Sequence, residues 1–141
     1  MKKLALLLIV FTFTFINSFS QENEKIKIAL DIQGIHNGKG QLIIRLYNAN
    51  VNYPGNAFKT VKIELEPDTA GPFIIEDIAP GEYAIIVYQD KNMSEELEIG
   101  MMGPEEPLGY SNNASNPYGP APFESAKMNF QEDSVITINL R

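Results

Sequence analysis

Apolar and polar residues alternate along much of the chain beyond residue 24. In the run 25–32, Ile26, Ile28, Leu30 and Ile32 fall on one face. A period of two marks a strand with one buried face. The run 41–47 repeats the pattern with Leu42, Ile44 and Leu46 inward. Residues 60–65 place Val61, Ile63 and Leu65 inward and Lys62 and Glu64 outward. Residues 73–76 form a shorter strand, and 83–88 an unbroken apolar run of the kind found in a central strand. Residues 135–140 close the series with Ile136, Ile138 and Leu140 on one face. Asn37-Gly38 tolerates positive φ at both central turn positions and predicts a hairpin between the first two strands. Pro80-Gly81 turns the chain into Tyr83, whose hydroxyl is expected to bond loop backbone as a sandwich corner tyrosine does. No segment sustains a 3.6-residue apolar period. About seven short strands separated by turn signals predict an all-β fold, an antiparallel β-sandwich.

Two segments break this rhythm. Met1-Lys2-Lys3 precedes an apolar stretch, 4–16, and Ser18-Phe19-Ser20 offers small residues for cleavage before Gln21. The stretch falls short of the roughly 20 residues needed to cross a bilayer. It predicts a signal peptide at 1–20 and one exported domain, periplasmic or secreted, at 21–141. No transmembrane segment is expected in the mature chain. The other segment is 100–122, where four Gly and five Pro confine the chain to turns and edges. It reads as one long loop, and its Met101, Met102, Leu108, Tyr110 and Tyr118 suggest that it folds back onto the sandwich.

Composition narrows the chemistry. The 141 residues include 18 acidic and 11 basic side chains, one His and no Cys. Removing Lys2 and Lys3 leaves nine basic against 18 acidic, a mature charge of −9. This balance argues against nucleic acid, whose phosphates need a Lys/Arg surplus. Without Cys there is no disulfide or thiolate site, and one His cannot supply paired imidazoles.

Three constellations remain. Asp90, Asn92, Ser94, Glu96 and Glu98 offer an oxygen at every second position, the spacing by which a curled loop could surround Ca²⁺. The run is similar to the first half of an EF-hand loop, but Glu95 stands where that loop needs Gly and Met101 where it needs Glu. The alternative is a solvated acidic turn whose side chains cap backbone amides. In the loop 103–113, Glu105 and Glu106 are adjacent and point apart in extended chain. They therefore do not form the facing pair of a glycosidase. Ser111 lacks a nucleophile motif, and His36 sits in a turn, so a hydrolase pair between them is disfavoured. Finally, Tyr53, Tyr110 and Tyr118 lie among Asn, Gly and Pro. An apolar ring face with polar edges suits a sugar, and equally pins a loop. The ligand-binding candidates are Tyr110, Ser111, Asn112, Tyr118 and Glu105.

Four pieces in sequence order carry a family resemblance. They are the strand 40–47, Ile78-Ala79-Pro80-Gly81-Glu82-Tyr83-Ala84-Ile85, the segment from Asp90-Lys91-Asn92 to Leu97-Glu98, and Gly103-Pro104-Glu105-Glu106-Pro107-Leu108-Gly109-Tyr110-Ser111-Asn112-Asn113. Over residues 25–141 the chain resembles the domain of unknown function 2141 family of small secreted bacterial proteins. The resemblance implies a prealbumin-like or immunoglobulin-like sandwich and no assigned activity or catalytic residue. The chain departs from the family pattern at Gln89, often His there, at Glu98, often Asp, and in the adjacent Glu105-Glu106.

Three functions are then in competition. The first is a monomeric, non-enzymatic envelope module that binds a glycan or a protein. The second is a structural accessory domain stabilised by Ca²⁺ in the 90–98 loop. The third is a hydrolase working from 90–113.

Overall fold

The computed structural model describes residues 24–36 and 38–141. The signal peptide expected at 1–20 lies outside the described residues. In chain order the elements are β1 (Ile26–Gln33), β2 (Gln41–Tyr47), β3 (Lys59–Glu64), β4 (Phe73–Ile78), β5 (Gly81–Asp90), β6 (Ile99–Gly100), β7 (Gly103–Pro104), β8 (Leu108–Tyr110), α1 (Phe123–Ala126), β9 (Met128–Phe130) and β10 (Ser134–Asn139). The fold is all-β and sandwich-like, as the alternation requires. One sheet has the order β10-β1-β4 and the other β3-β2-β5-β8, with β9 pairing the start of β5. All pairings are antiparallel except β1 with β10, which run parallel.

The expected hairpin between the first two strands does not form. β1 and β2 belong to different sheets, so the connection 34–40 crosses between layers; Asn37 itself is outside the described residues. Each strand has a whole apolar face, and those faces bury better against each other across the core than side by side in one sheet. Gln89 holds the crossing in place of ladder bonds. Its buried amide donates to the His36 and Lys39 carbonyls, both at 2.8 Å, and accepts from the His36 N–H at 2.9 Å.

The core between the sheets is built from the predicted inward positions. Ile28, Leu30, Leu42, Ile44, Ile85, Val87 and Ile138 are all inaccessible to solvent. Tyr83 packs there too, and its hydroxyl donates to the Ala79 carbonyl at 2.8 Å, as the corner reading expects. The sheets also meet along one side. Leu108 and Arg141 exchange both backbone hydrogen bonds, each 3.1 Å. Gly109 lies so close to β10 that a Cβ there would sit 2.7 Å from the Asn139 carbonyl.

β5 explains why the segment 100–122 is not one loop. Eight consecutive residues of β5, from Tyr83 to Asp90, are buried, so both faces of its sheet need cover. The inner face has the second sheet. The outer face takes a smaller apolar cluster in which Tyr47, Ala84 and Ile86 pack with Phe123 and Ala126. To reach it the chain forms the β6–β7 hairpin, pairs β8 along β5, and returns through α1. No helix among the described residues is long and apolar enough to cross a membrane.

Candidate functional site

The outer face of β2-β5-β8 is covered over one part only. Cross-strand register aligns Arg45 with Ile86 and Ile86 with Tyr110, and Tyr88 with Leu108. These side chains floor a groove. One section of about 410 Å³ is lined by Arg45, Tyr47, Ile86, Tyr88 and Tyr110, with Leu97, Ile99, Pro54 and Pro120 as walls. A second section of about 590 Å³ shares Leu97, Ile99, Tyr110 and Pro120 and runs out past Met101, Met102 and Tyr118.

Two of the floor's three phenol groups, those of Tyr47 and Tyr88, are spent on the surrounding loops. Tyr47 donates to the Pro54 carbonyl at 2.8 Å and Tyr88 to the Glu95 carbonyl at 2.9 Å. Burial pushes the Tyr88 phenol up to about 12, against the lowering effect of Arg45. The Arg45 guanidinium lies 5.3 Å from the centre of the Tyr88 ring and donates to the Glu95 carbonyl at 3.2 Å. A cation over an aromatic face is held electrostatically by the ring quadrupole. The result is an apolar, aromatic floor with one fixed positive charge.

The residues expected to bind ligand separate. Tyr110 and Tyr118 line the groove, Tyr110 as floor and Tyr118 at the open end. Tyr53 instead anchors a loop: its hydroxyl donates to the Ala121 carbonyl at 2.7 Å, and its ring meets Tyr47 and Phe123 edge-on. Ser111 is completely buried. Its Oγ accepts from the Ile85 N–H at 2.8 Å and donates to the Ala126 carbonyl at 2.6 Å. Asn112 is exposed, at a φ of 56°, and donates to the Ser125 carbonyl at 3.0 Å. Glu105 is exposed beside the β6–β7 hairpin, where a Cβ on Gly100 would meet its carboxylate. Of the apolar residues in 100–122, Leu108 and Tyr110 fold back as expected, whereas Met101, Met102 and Tyr118 project into solvent.

The five oxygen-bearing residues of 90–98 are divided among different tasks. Asp90 is fully buried and caps the turn: it accepts from Gln41 at 2.8 Å, Glu95 N–H at 2.7 Å and Ser94 N–H at 3.1 Å. Burial alone would push its carboxyl up. The bonds from Gln41 and from the Glu95, Ser94 and Met93 amides together hold it below the usual carboxylate range. Asn92 donates to Glu98 at 2.7 Å, Ser94 donates to the Glu96 carbonyl at 3.1 Å, and the Glu96 side chain borders the groove. Among the described residues, no group of three or more His, Cys, Asp or Glu side chains is arranged to hold a metal ion. Glu106, set aside in the sequence with Glu105 as a glycosidase pair, is buried beneath the same turn. One carboxyl oxygen accepts from the Lys91 N–H at 3.1 Å and the other has no partner. Burial pushes this carboxyl up, assisted by the charges of Asp90 and Glu98.

Residues 30–138 match the family described as "Uncharacterized protein conserved in bacteria (DUF2141)". The chain belongs to this family. No curated protein and no solved structure matches it. Most of the groove lies inside the matched span, including Arg45, Tyr88 and Tyr110. Arg45, Tyr47 and Tyr88 lie on outward strand positions, which the alternation of inward apolar residues does not mark. The signal was present in β2, where Ile43 and Tyr47 make the outward positions apolar as well.

Proposed function

We propose that this member of the family is an exported, non-enzymatic binding module of the cell envelope. Its ligand, an envelope glycan or a protein segment, lies in the groove over the outer face of β2-β5-β8. The observation that carries this reading is the groove itself: Arg45, Ile86 and Tyr110 in register across three strands, Tyr47 and Tyr88 beside them, and proline walls. Apolar concavities with a few oriented polar groups are the usual form of a ligand site. The basic start, apolar stretch and small residues of 1–20 support export. A non-enzymatic role is supported by the engagement of Ser111 and Asp90, whose side chains are committed to backbone.

Surface plasmon resonance against a panel of cell-wall glycans and peptides tests the proposal. A binder is expected whose affinity falls about tenfold or more in Tyr110→Ala and in Arg45→Met, as for anchors at a site centre. Binding indifferent to both changes, or turnover of a panel compound, would sink it.

A further inference from the structure

The groove holds both arginines of the chain. Of the 11 basic side chains only Arg45 and Arg141 are Arg. Arg45 lines the first section and Arg141 the second, and no Lys lines either. Strand pairing carries the floor out to Arg141. Tyr88 stands opposite Leu108, and Leu108 exchanges both backbone hydrogen bonds with Arg141. Directly opposed residues share one face of a sheet, so Arg141 continues the row beyond β8.

The two guanidiniums differ in what they can still offer. Arg45 is engaged by the Tyr88 ring and the Glu95 carbonyl, and Glu96 stands on the wall of the same section. Arg141 is exposed and makes no ion pair among the described residues. It is also the one charged side chain on the lining of the second section. A guanidinium is a planar fork that matches a carboxylate with two parallel hydrogen bonds.

Around Arg141 the second section is largely apolar, with Ile99, Met101, Leu108, Tyr110 and Tyr118 set among prolines. Its one side-chain amide is already spent: Asn116 donates to the Pro120 carbonyl and accepts from the Tyr118 N–H, both at 3.1 Å. A sugar chain would bring many hydroxyls to this surface, and a buried hydroxyl left without a partner costs binding energy. An extended peptide with apolar side chains makes no such demand, and grooves floored by aromatic rings are a known seat for extended, proline-rich chain. The lining therefore selects a peptide over a glycan, and its one free charge selects an acidic group on that peptide.

We infer that the second section of the groove seats an extended apolar segment of a partner protein, with an Asp or Glu of that segment held by Arg141. This inference rests on the groove being the binding site and chooses between the two ligand classes of that reading. Fluorescence anisotropy tests it with three labelled peptides of Leu and Pro. They differ only at two central positions, which are Glu in the first, Gln in the second and Lys in the third. The Glu peptide is expected to bind about fivefold or more tighter than the Gln peptide, the upper range for an exposed ion pair, and the Lys peptide to bind weakest. Arg141→Gln should abolish this preference by weakening the Glu peptide while leaving the Gln peptide unchanged. The preference should also shrink as salt rises from about 0.05 to 0.5 M. Lys25→Gln/Lys39→Gln removes two exposed positive charges that do not line the groove, and should leave the preference unchanged. The Arg141 side chain is exposed and its backbone bonds to Leu108 do not need it, and circular dichroism confirms that the variant folds. Equal affinity for the Glu and Gln peptides, or a preference that survives Arg141→Gln, overturns the inference. The groove reading stands in either case if Tyr110→Ala still weakens the peptides. A cell-wall oligosaccharide or oleate that binds while no peptide does also overturns the inference. If no glycan and no peptide binds, both readings fall.

Discussion

Replacing Ser111 by Ala separates a structural hydroxyl from a ligand-binding one. Ser111 follows directly on the last residue of β8, at the point where the ladder with β5 would lose its next acceptor. The hydroxyl takes that place by accepting from the Ile85 N–H, and it donates to the Ala126 carbonyl at the end of α1. Carbonyls in the last turn of a helix have no intrahelical partner. Alanine therefore orphans two backbone groups at a residue with no solvent access. Each orphan costs about 1–3 kcal/mol. Removing the hydroxyl relieves part of its own burial, so the expected loss is about 2–4 kcal/mol. For a domain of this size that is a fall of roughly 8–16 °C in melting midpoint. Urea unfolding followed by tyrosine fluorescence measures the loss. Ser111 borders neither section of the groove, so the folded variant should bind a groove ligand with parental affinity. A variant within about 0.5 kcal/mol of the parent refutes the clamp. So does one that keeps its stability and loses ligand.

Three further expectations concern the same region and its supports. Glu106→Gln should raise the melting midpoint at pH 8 and leave it unchanged at pH 4. Burial lifts the folded-state carboxyl above its unfolded value, so the neutral form favours the fold and stability is lost as pH rises through the folded value. Asp90→Asn has the opposite sign: it should destabilise by about 2–4 kcal/mol at pH 7, because the native carboxylate is held by charge-assisted bonds. That difference should shrink below about pH 4 as the parent's carboxylate becomes protonated, as paired melts across pH would show. Gly109→Ala should lose about 1–3 kcal/mol in urea, because its Cβ would press on the Asn139 carbonyl and on Ile138 where the two sheets join.

The long strands were legible because each keeps one parity of residue in the core. The edges of β1, β2, β3 and β10 fall within a residue or two of where the alternation puts them, and β5 extends two residues beyond each end of its unbroken apolar run. Partnership between strands was not legible. Asn37-Gly38 carries the local chemistry of a hairpin turn, yet a connection between layers can use the same residues, and the choice is made by burial of whole faces. Ser111 was misleading for a related reason. A serine in an Asn- and Gly-rich loop looks available, and only the end of β8 turns its hydroxyl into a ladder acceptor for Ile85. The groove was out of reach of spacing rules because its floor is a row across three strands. Arg45, Ile86 and Tyr110 are neighbours only through the register of β2, β5 and β8.

That row also accounts for where a site can exist at all. A sheet with a central strand buried on both faces must be covered twice. The second sheet covers the inner face of β2 and β5, where Leu42, Ile44, Ile85 and Val87 are inaccessible to solvent. The outer face depends on the chain between β8 and β9, anchored by Phe123 and Ala126, together with Tyr53 and Ala57 from the β2–β3 connection. Those anchors reach Tyr47, Ala84 and Ile86, toward the end of β5 that Tyr47 and Ala84 share. Toward the other end, Tyr88 and Arg45 are left with the 95–99 chain and the β6–β7 hairpin as neighbours, and the cover thins into a groove. An Arg45→Ala change should therefore do more than remove a charge. The guanidinium ties the Tyr88 ring to the Glu95 carbonyl, and the same carbonyl accepts from the Tyr88 hydroxyl. Losing it releases the wall from the floor. Hydrogen exchange should quicken at residues 94–99 well before it does in β2 or β5, since locally opened segments exchange ahead of the core. Uniform exchange across the 94–99 chain and the central strands would show that Arg45 does not hold the wall.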